Sequence, residues 1–302
     1  MQVPQVCGIL LEESKVFGSK RKDIRMSSGY RFQMGKLECV AVADGSNNYE
    51  AWTLFTNAPA EELQQALAKH GLGSELDVPY TCLAVKVDAQ WVLVDTGAGV
   101  RDGVQVGQIG QSLVAAGIDP ADIKVVILTH GHTDHIGGLT DEKGALQFKE
   151  ARYIMGKREW DFWNTREKLQ EMGWGSIVPY MEDKLGSIAG RVELIEGERE
   201  IFPGLRVIPA EGHTPGHMVV VFSSGGEELW SMGDALIHPI HLEHLDWYTV
   251  FDLVPKEAIA TKRRLLAAVA HGGTTVHAFH FPFPGIGRVL REGERWRWQP
   301  IT

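Results

Sequence analysis

The residues best equipped for chemistry stand together in Thr129-His130-Gly131-His132-Thr133-Asp134-His135-Ile136-Gly137-Gly138. Three histidines and one aspartate fall within six residues, from His130 to His135. No single helical face could present all four, because neighbours on one face recur every three or four residues. A loop that turns back on itself can aim them at one point. Imidazole nitrogen and carboxylate oxygen are both good ligands for zinc and similar divalent ions. Burying so many ionisable groups without a cation would be costly, and a bound metal offsets that desolvation. The bland alternative is a surface loop with scattered histidines.

The run before the motif, Val125-Val126-Ile127-Leu128, is short, largely β-branched and preceded by Lys124. It reads as a buried strand, which puts the motif where a strand ends and the chain turns. Three candidates in the second half repeat that placement. His213 follows a strand-like run at 205–209, Asp234 follows one at 229–232, and His280 follows one at 274–279. Glycine or proline stands close to each, as in Gly212-His213-Thr214-Pro215-Gly216-His217, Gly233-Asp234 and His280-Phe281-Pro282-Phe283-Pro284-Gly285. Tight turns aimed into a cleft require such residues. Asp95 puts a further carboxylate at the end of the strand read at 91–95.

The elements that must position these residues follow from periodicity and turn chemistry. Residues 37–43 read as a strand running into a turn at Asp44-Gly45, and 57–71 as a helix with Glu61 and Glu62 near its start. Residues 81–87 and 91–95 make a hairpin around Asp88-Ala89-Gln90. A helix is expected at 108–116, and Asp119-Pro120 reads as the cap and first position of a short helical turn. Residues 157–185 are helical in pattern but broken at Gly173-Trp174-Gly175 and at Pro179. Strands return at 192–195 and 218–222, a helix at 255–271, and a last short strand carries Trp296 and Trp298. No repeat, linker or charge block divides the chain. One domain over 1–302, two sheets packed between helices with 1–80 as an N-terminal extension, is the expected organisation.

Composition narrows the partners. The 302 residues are 44% hydrophobic, enough for a sizeable core, and carry a formal net charge of -9. That balance argues against nucleic acid, whose phosphates call for clustered Lys and Arg. No apolar run approaches membrane-spanning length, and the start Met1-Gln2-Val3-Pro4 lacks a basic segment followed by an apolar core, so no secretory leader is expected. Cys7, Cys39 and Cys82 are isolated, which suggests reduced thiols and a cytoplasmic location. No Gly-x-Ser-x-Gly elbow offers a serine nucleophile.

These motifs together resemble the metallo-β-lactamase superfamily over 81–287. Residues 129–138 match its His-x-His-x-Asp-His motif, the segments of His213, Asp234 and His280 match its later motifs in order, and Asp95 matches an earlier one. The ending His280-Phe281-Pro282-Phe283-Pro284-Gly285 is similar to the branch of methyl parathion hydrolase and its lactonase and esterase relatives. The resemblance implies an αββα sandwich of the α/β class with two divalent ions, most readily zinc, at one edge. It implies that His130, His132 and His213 hold one ion, that Asp134, His135 and His280 hold the other, and that Asp234 bridges them. Metals in such sites lie about 3.5–4 Å apart, a gap one carboxylate can span. A hydroxide between them is then the nucleophile, with Asp134 and Asp234 the carboxylates closest to the reaction.

Around this set, Asp95 is expected to hydrogen-bond a ligand histidine and fix its tautomer, and His217 to make a structural hydrogen bond. Trp160, Phe162, Trp163 and Trp174 are candidates for an apolar substrate wall, against the alternative that they are core. His238, His241 and His244 crowd the segment after Asp234, and His241 is a candidate for lining the cleft. Tyr248 is a candidate donor to an oxyanion; His70, His271 and His277 read as helix-end or packing residues. The function expected is hydrolysis of an uncharged small-molecule ester: a lactone, a carboxylic ester or a phosphotriester. Competing readings are a β-lactamase, disfavoured by an aspartate at the bridging position, a nuclease, disfavoured by charge, a mononuclear iron sulfur dioxygenase, disfavoured by the complete ligand set, and a non-catalytic binder. The stretch before Thr81 is the candidate place for a homodimer contact.

Overall fold

The computed structural model describes residues 28–270, 273–293 and 295–301; Cys7, His271 and the start of the chain lie outside them. The first sheet holds β1 (Gly29–Met34), β2 (Leu37–Glu50), β3 (Glu75–Val87), β4 (Gln90–Val94), β5 (Ile123–Leu128), β6 (Arg152–Gly156) and β7 (Val192–Ile195), side by side in chain order. The second holds β8 (Arg199–Phe202), β9 (Leu205–Pro209), β10 (Met218–Ser224), β11 (Glu227–Ser231), β12 (Thr275–His277), β13 (Ile286–Glu292) and β14 (Arg295–Pro300), also in chain order. Both are mixed. β1 to β4 pair antiparallel and β4 to β7 parallel, while in the second sheet only β11 and β12 run parallel.

The apolar run that precedes the histidine motif is buried on both faces. Val125 and Ile127 point into the core between the sheets, with Leu83, Val94, Val207, Val220 and Phe222. Val126 and Leu128 point outward, under the helices Lys157–Trp163, Arg166–Glu171 and Val178–Gly186. A strand covered on both sides reads as a continuous apolar stretch, and each fully buried Val or Leu contributes roughly 1.5–3 kcal/mol. The outer face of the second sheet is closed by the helix Pro255–Val269, whose Leu265, Leu266 and Val269 pack on Val219, Val221 and Val276. The layers are therefore helix, sheet, sheet, helix. No helix among the described residues is long and apolar enough to cross a membrane.

Two local expectations need correction, and strand β8 was not expected. Asp44-Gly45 does not end β2 but marks a bulge in it, and pairing with β3 resumes at Gly45 and runs to Glu50. Pro179 does not break a helix; it sits in the first turn of Val178–Gly186, where a missing N–H costs nothing. β8 carries exposed Arg199 and Glu200 at the sheet edge, a charged edge strand whose pattern hid it from the sequence. Elsewhere the expected turn chemistry forms: Asp88 and Ala89 both take positive φ in a two-residue hairpin, and the Asp119 side chain accepts from the Ala121 N–H. Cys39 and Cys82 are free, buried thiols.

The bulge at Asp44 has a purpose the sequence did not reveal. It turns a fully buried carboxylate toward the loops that follow β4, where Oδ2 accepts from Ala98 N at 2.8 Å and Gly107 N at 3.1 Å, and Oδ1 from Ile109 N at 2.9 Å. Burial pushes the carboxyl up to about 6, against the pull of those donors. Asp44→Ala leaves the buried N–H groups of Ala98 and Ile109 and the half-buried one of Gly107 without an acceptor, and each buried one costs roughly 1–3 kcal/mol. Urea unfolding is expected to show a loss of about 3 kcal/mol or more, with a smaller loss for Asp44→Asn; a loss under about 1 kcal/mol for the alanine variant would contradict this role.

Candidate metal centre

All the loops that carry the seven expected ligands leave the sheets at the same edge. Backbone hydrogen bonds knit those edges together: Met218 N donates to Thr129 O, and Thr81 N donates to Phe279 O. His130, His132, His213 and Asp234 are brought into one group, and Asp134, His135 and His280 into another, with ligand atoms inside each group within 4.8 Å of one another. Asp234 lies between the two. Its Oδ2 is 3.2 Å from His213 Nε2, 3.2 Å from His280 Nε2 and 3.8 Å from His130 Nε2, while its Oδ1 is 3.1 Å from His135 Nε2. Gly233 makes this approach feasible: at φ +50° it occupies the left-handed region, and a Cβ there would lie 2.7 Å from His217 Nε2.

The donor set fits divalent cations. His130 Nε2 is buried without a hydrogen-bond partner, and His135 Nε2 and Asp234 Oδ1 face each other at 3.1 Å without hydrogen-bond geometry, an arrangement that is costly unless something else binds them. His132 Nδ1 and His213 Nε2 face each other at 2.9 Å, two imidazole nitrogens converging on one point. Burial and the neighbouring imidazoles hold His130 and His132 well below the usual histidine range. Burial also opposes charge on His135, His213 and His280, yet the carboxylates around them prevail and push His213 and His280 up to about 9. Without a cation, the carboxylates draw protons onto these imidazoles; a site that attracts positive charge this strongly is suited to a metal ion.

The expected ligands are held from behind. His135 Nδ1 meets Asp95 Oδ2 at 2.8 Å, and Asp95 also accepts from the backbone N–H and hydroxyl of Thr129. Asp95 holds φ +60°, a conformation unfavourable for a residue with a Cβ, stabilised here by those bonds. His280 Nδ1 faces the Pro79 carbonyl oxygen at 3.1 Å, and His130 Nδ1 faces the Thr129 hydroxyl at 3.1 Å. His213 Nδ1 meets Asp252 Oδ1 at 2.8 Å. Sequence reasoning did not single out Asp252; the signal available was the local turn in which Thr249 N donates to its other oxygen. His217 Nε2 accepts from the Asp234 backbone N–H at 3.0 Å, so it fixes the loop of a ligand.

The remaining candidates fall elsewhere. Phe162, Trp163 and Trp174 are buried in the core beneath the first ligand loop, and Trp160 packs against that core. The helix Lys157–Trp163 and the segment between the next two helical turns present them inward, and none of them lines the cleft. His241 is buried, packs on Phe55 and bonds the Leu54 carbonyl oxygen, lining a small cavity behind His213 and Asp234. Tyr248 is held by its backbone to Thr56 and Asn57 and lies outside the cleft. A narrow cleft opens over the centre. Its apolar wall consists of Tyr49, Leu54, Val78, Ile237 and Phe251, and its floor includes Asp134, Asp234 and His280. These wall residues come from the extended ends of β2 and β3, from the short helix Ala51–Leu54 and from the segment after Asp234.

Comparison with known proteins accords with this geometry. The family profile described as Metallo-beta-lactamase superfamily matches residues 77–281. An N-acyl homoserine lactonase from a Bacillus species is 29% identical over 172 residues, which cover 50% of this chain and 61% of the relative. This chain thus spans somewhat over half of that relative's length. Two solved structures are similar over most of the fold. AidC, a dizinc quorum-quenching lactonase in complex with the product N-hexanoyl-L-homoserine, has a TM-score of 0.84 and 27% identity over 91% of this chain and 98% of its own. The hydrolase AbOPH of the beta lactamase superfamily has a TM-score of 0.86 and 25% identity over 92% and 99%. The spacing of the histidine motif, the two sheets that aim it and the matched two-thirds of its length together place this chain in the metallo-beta-lactamase superfamily.

Proposed function

We propose that this chain is a two-cation hydrolase that opens N-acyl lactones carrying an apolar acyl group. The observation that carries the reading is the position of Asp234, one carboxylate within reach of imidazoles from both ligand groups and open to an apolar cleft. His130, His132 and His213 would hold one ion and Asp134, His135 and His280 the other, with Asp234 shared. Divalent ions bound there, zinc in the first instance, would supply Lewis acidity toward a carbonyl oxygen and a water acidified to a pKa of about 7.

The chain's own residues account for the rest. Tyr49, Leu54, Val78, Ile237 and Phe251 receive the acyl chain and exclude water from the floor of the cleft. Tyr49 and Tyr80 join hydroxyls at 2.6 Å, which sets the orientation of the Tyr49 ring edge-on to Phe251. Asp95 and Asp252 hold the ligand imidazoles in the tautomer that leaves Nε2 facing Asp234. Asp134 is the ligand carboxylate with most access to the cleft, its side chain 15% exposed with Oδ2 3.4 Å from His280 Nε2. Its oxygen is placed to take a proton from the attacking water and deliver it to the leaving alkoxide of the opened ring.

Incubation of zinc-loaded protein with N-hexanoyl-homoserine lactone, a nitrophenyl ester and a phosphotriester is expected to give the highest kcat/KM with the lactone. Turnover of none of the three would remove the hydrolase reading, and a higher kcat/KM with either of the others would reassign the substrate. His280→Ala is expected to lower bound zinc from two ions to one and kcat by roughly 100-fold or more, read by metal analysis and steady-state kinetics. Phe251→Ala is expected to raise KM for long-chain lactones by about tenfold with kcat little changed; a kcat effect without a KM effect would move Phe251 out of the binding wall.

A further inference from the structure

Glu159 lies in the helix Lys157–Trp163 and is fully buried, yet the proposed reaction makes no use of it. Its Oε1 accepts from Gly131 N at 2.9 Å and from Trp163 Nε1 at 2.5 Å, and its Oε2 accepts from Gly216 N at 2.8 Å. Gly131 stands between His130 and His132, and Gly216 follows His213 by three residues. One carboxylate therefore ties a ligand loop of the first sheet to a ligand loop of the second. Both glycines are needed for the approach. A Cβ at 216 would lie 2.2 Å from the Glu159 backbone nitrogen, and a Cβ at 131 would lie 2.3 Å from the Trp163 ring.

Packing alone does not account for a carboxylate here, because a buried charge is commonly no more stabilising than an apolar side chain of the same volume. What a carboxylate offers is acceptor capacity on two oxygens at once, directed at N–H groups from two separate loops. The other ligand group has no bond to Glu159: His135 and His280 are backed by Asp95 and by the Pro79 carbonyl. We infer that Glu159 is a positioning residue that fixes the His130–His132 loop against the His213 loop and thereby sets the affinity of the cation position those three histidines form. It touches neither cation nor substrate. The inference rests on the two-cation reading above.

Glu159→Gln keeps the side-chain shape but turns an amide NH2 toward one of the donors. Zinc competition against a chromophoric chelator is expected to show two tight sites in the wild type. In Glu159→Gln one site keeps its affinity and the other weakens about 10–100-fold. The double variant Glu159→Gln/His280→Ala is expected to retain no site of wild-type affinity. Two unchanged sites in Glu159→Gln, or two sites weakened equally, would overturn the inference, as would a tight site surviving in the double variant. Should Glu159→Gln fail to fold, amide exchange in the zinc-free wild type decides: the Gly131 and Gly216 amides are expected to exchange slowly, and rapid exchange of either overturns the clamp. A wild type that binds no zinc would instead overturn the two-cation reading itself.

Discussion

Two carboxylates and five imidazoles share a space a few ångströms across, with Asp234 in the middle and almost no exposure to solvent. In such a place each polar atom must be matched or the fold loses stability. The cluster meets that constraint only in part. Its outer nitrogens are matched by Asp95, Asp252, the Thr129 hydroxyl and the Pro79 carbonyl, while several inner atoms have no protein partner. The surrounding structure is arranged so that inner atoms remain unmatched by protein and converge. That is the condition under which a cation, rather than another side chain, completes the site.

Holding unpaired groups in register requires a rigid frame, and the two sheets provide it. Strand β5 is covered on both faces, so its end cannot shift without disturbing two cores at once. Along one edge of the packed sheets the second is tied to the first by backbone bonds from Met218 N to Thr129 O and from Thr81 N to Phe279 O, and His277 adds a side-chain bond to the Thr81 carbonyl. Glu159 joins the same seam from the helical layer. This edge is thus a place where the two halves of the chain are tied together, and where the strained backbone of Asp95 can be sustained.

The cleft has a different origin from the metal floor. Its apolar wall comes from the extended ends of β2 and β3, from the short helix Ala51–Leu54 and from the segment that follows Asp234, lengths of chain with no chemical motif of their own. The aromatic cluster at 160–174, prominent in the sequence, supports the first ligand loop from below, where Trp163 meets the His132 ring edge-on. Aromatic residues at helical spacing are satisfied by core burial at least as well as by lining a cleft, and sequence spacing does not separate the two outcomes.

The sequence alone determined the strand-end placement of the histidine motif, the strand-end positions of the candidate ligands His213, Asp234 and His280, the hairpin at Asp88-Ala89 and the layered α/β architecture. Each of these is written locally, as a run buried on two faces, a turn residue that only certain backbones accept, or ligand types too dense to be accidental. Tertiary structure decided what depends on distant chain segments meeting. Asp44 reads as a turn residue until its bulge is seen to serve Ala98, Gly107 and Ile109; Asp252 and Glu159 belong to no motif in the sequence, and the structure places them behind His213 and between two candidate ligand loops. A carboxylate's partners are set by which backbone N–H groups and imidazoles the packed sheets bring within 3 Å or so, and that proximity leaves no periodicity in the sequence to read.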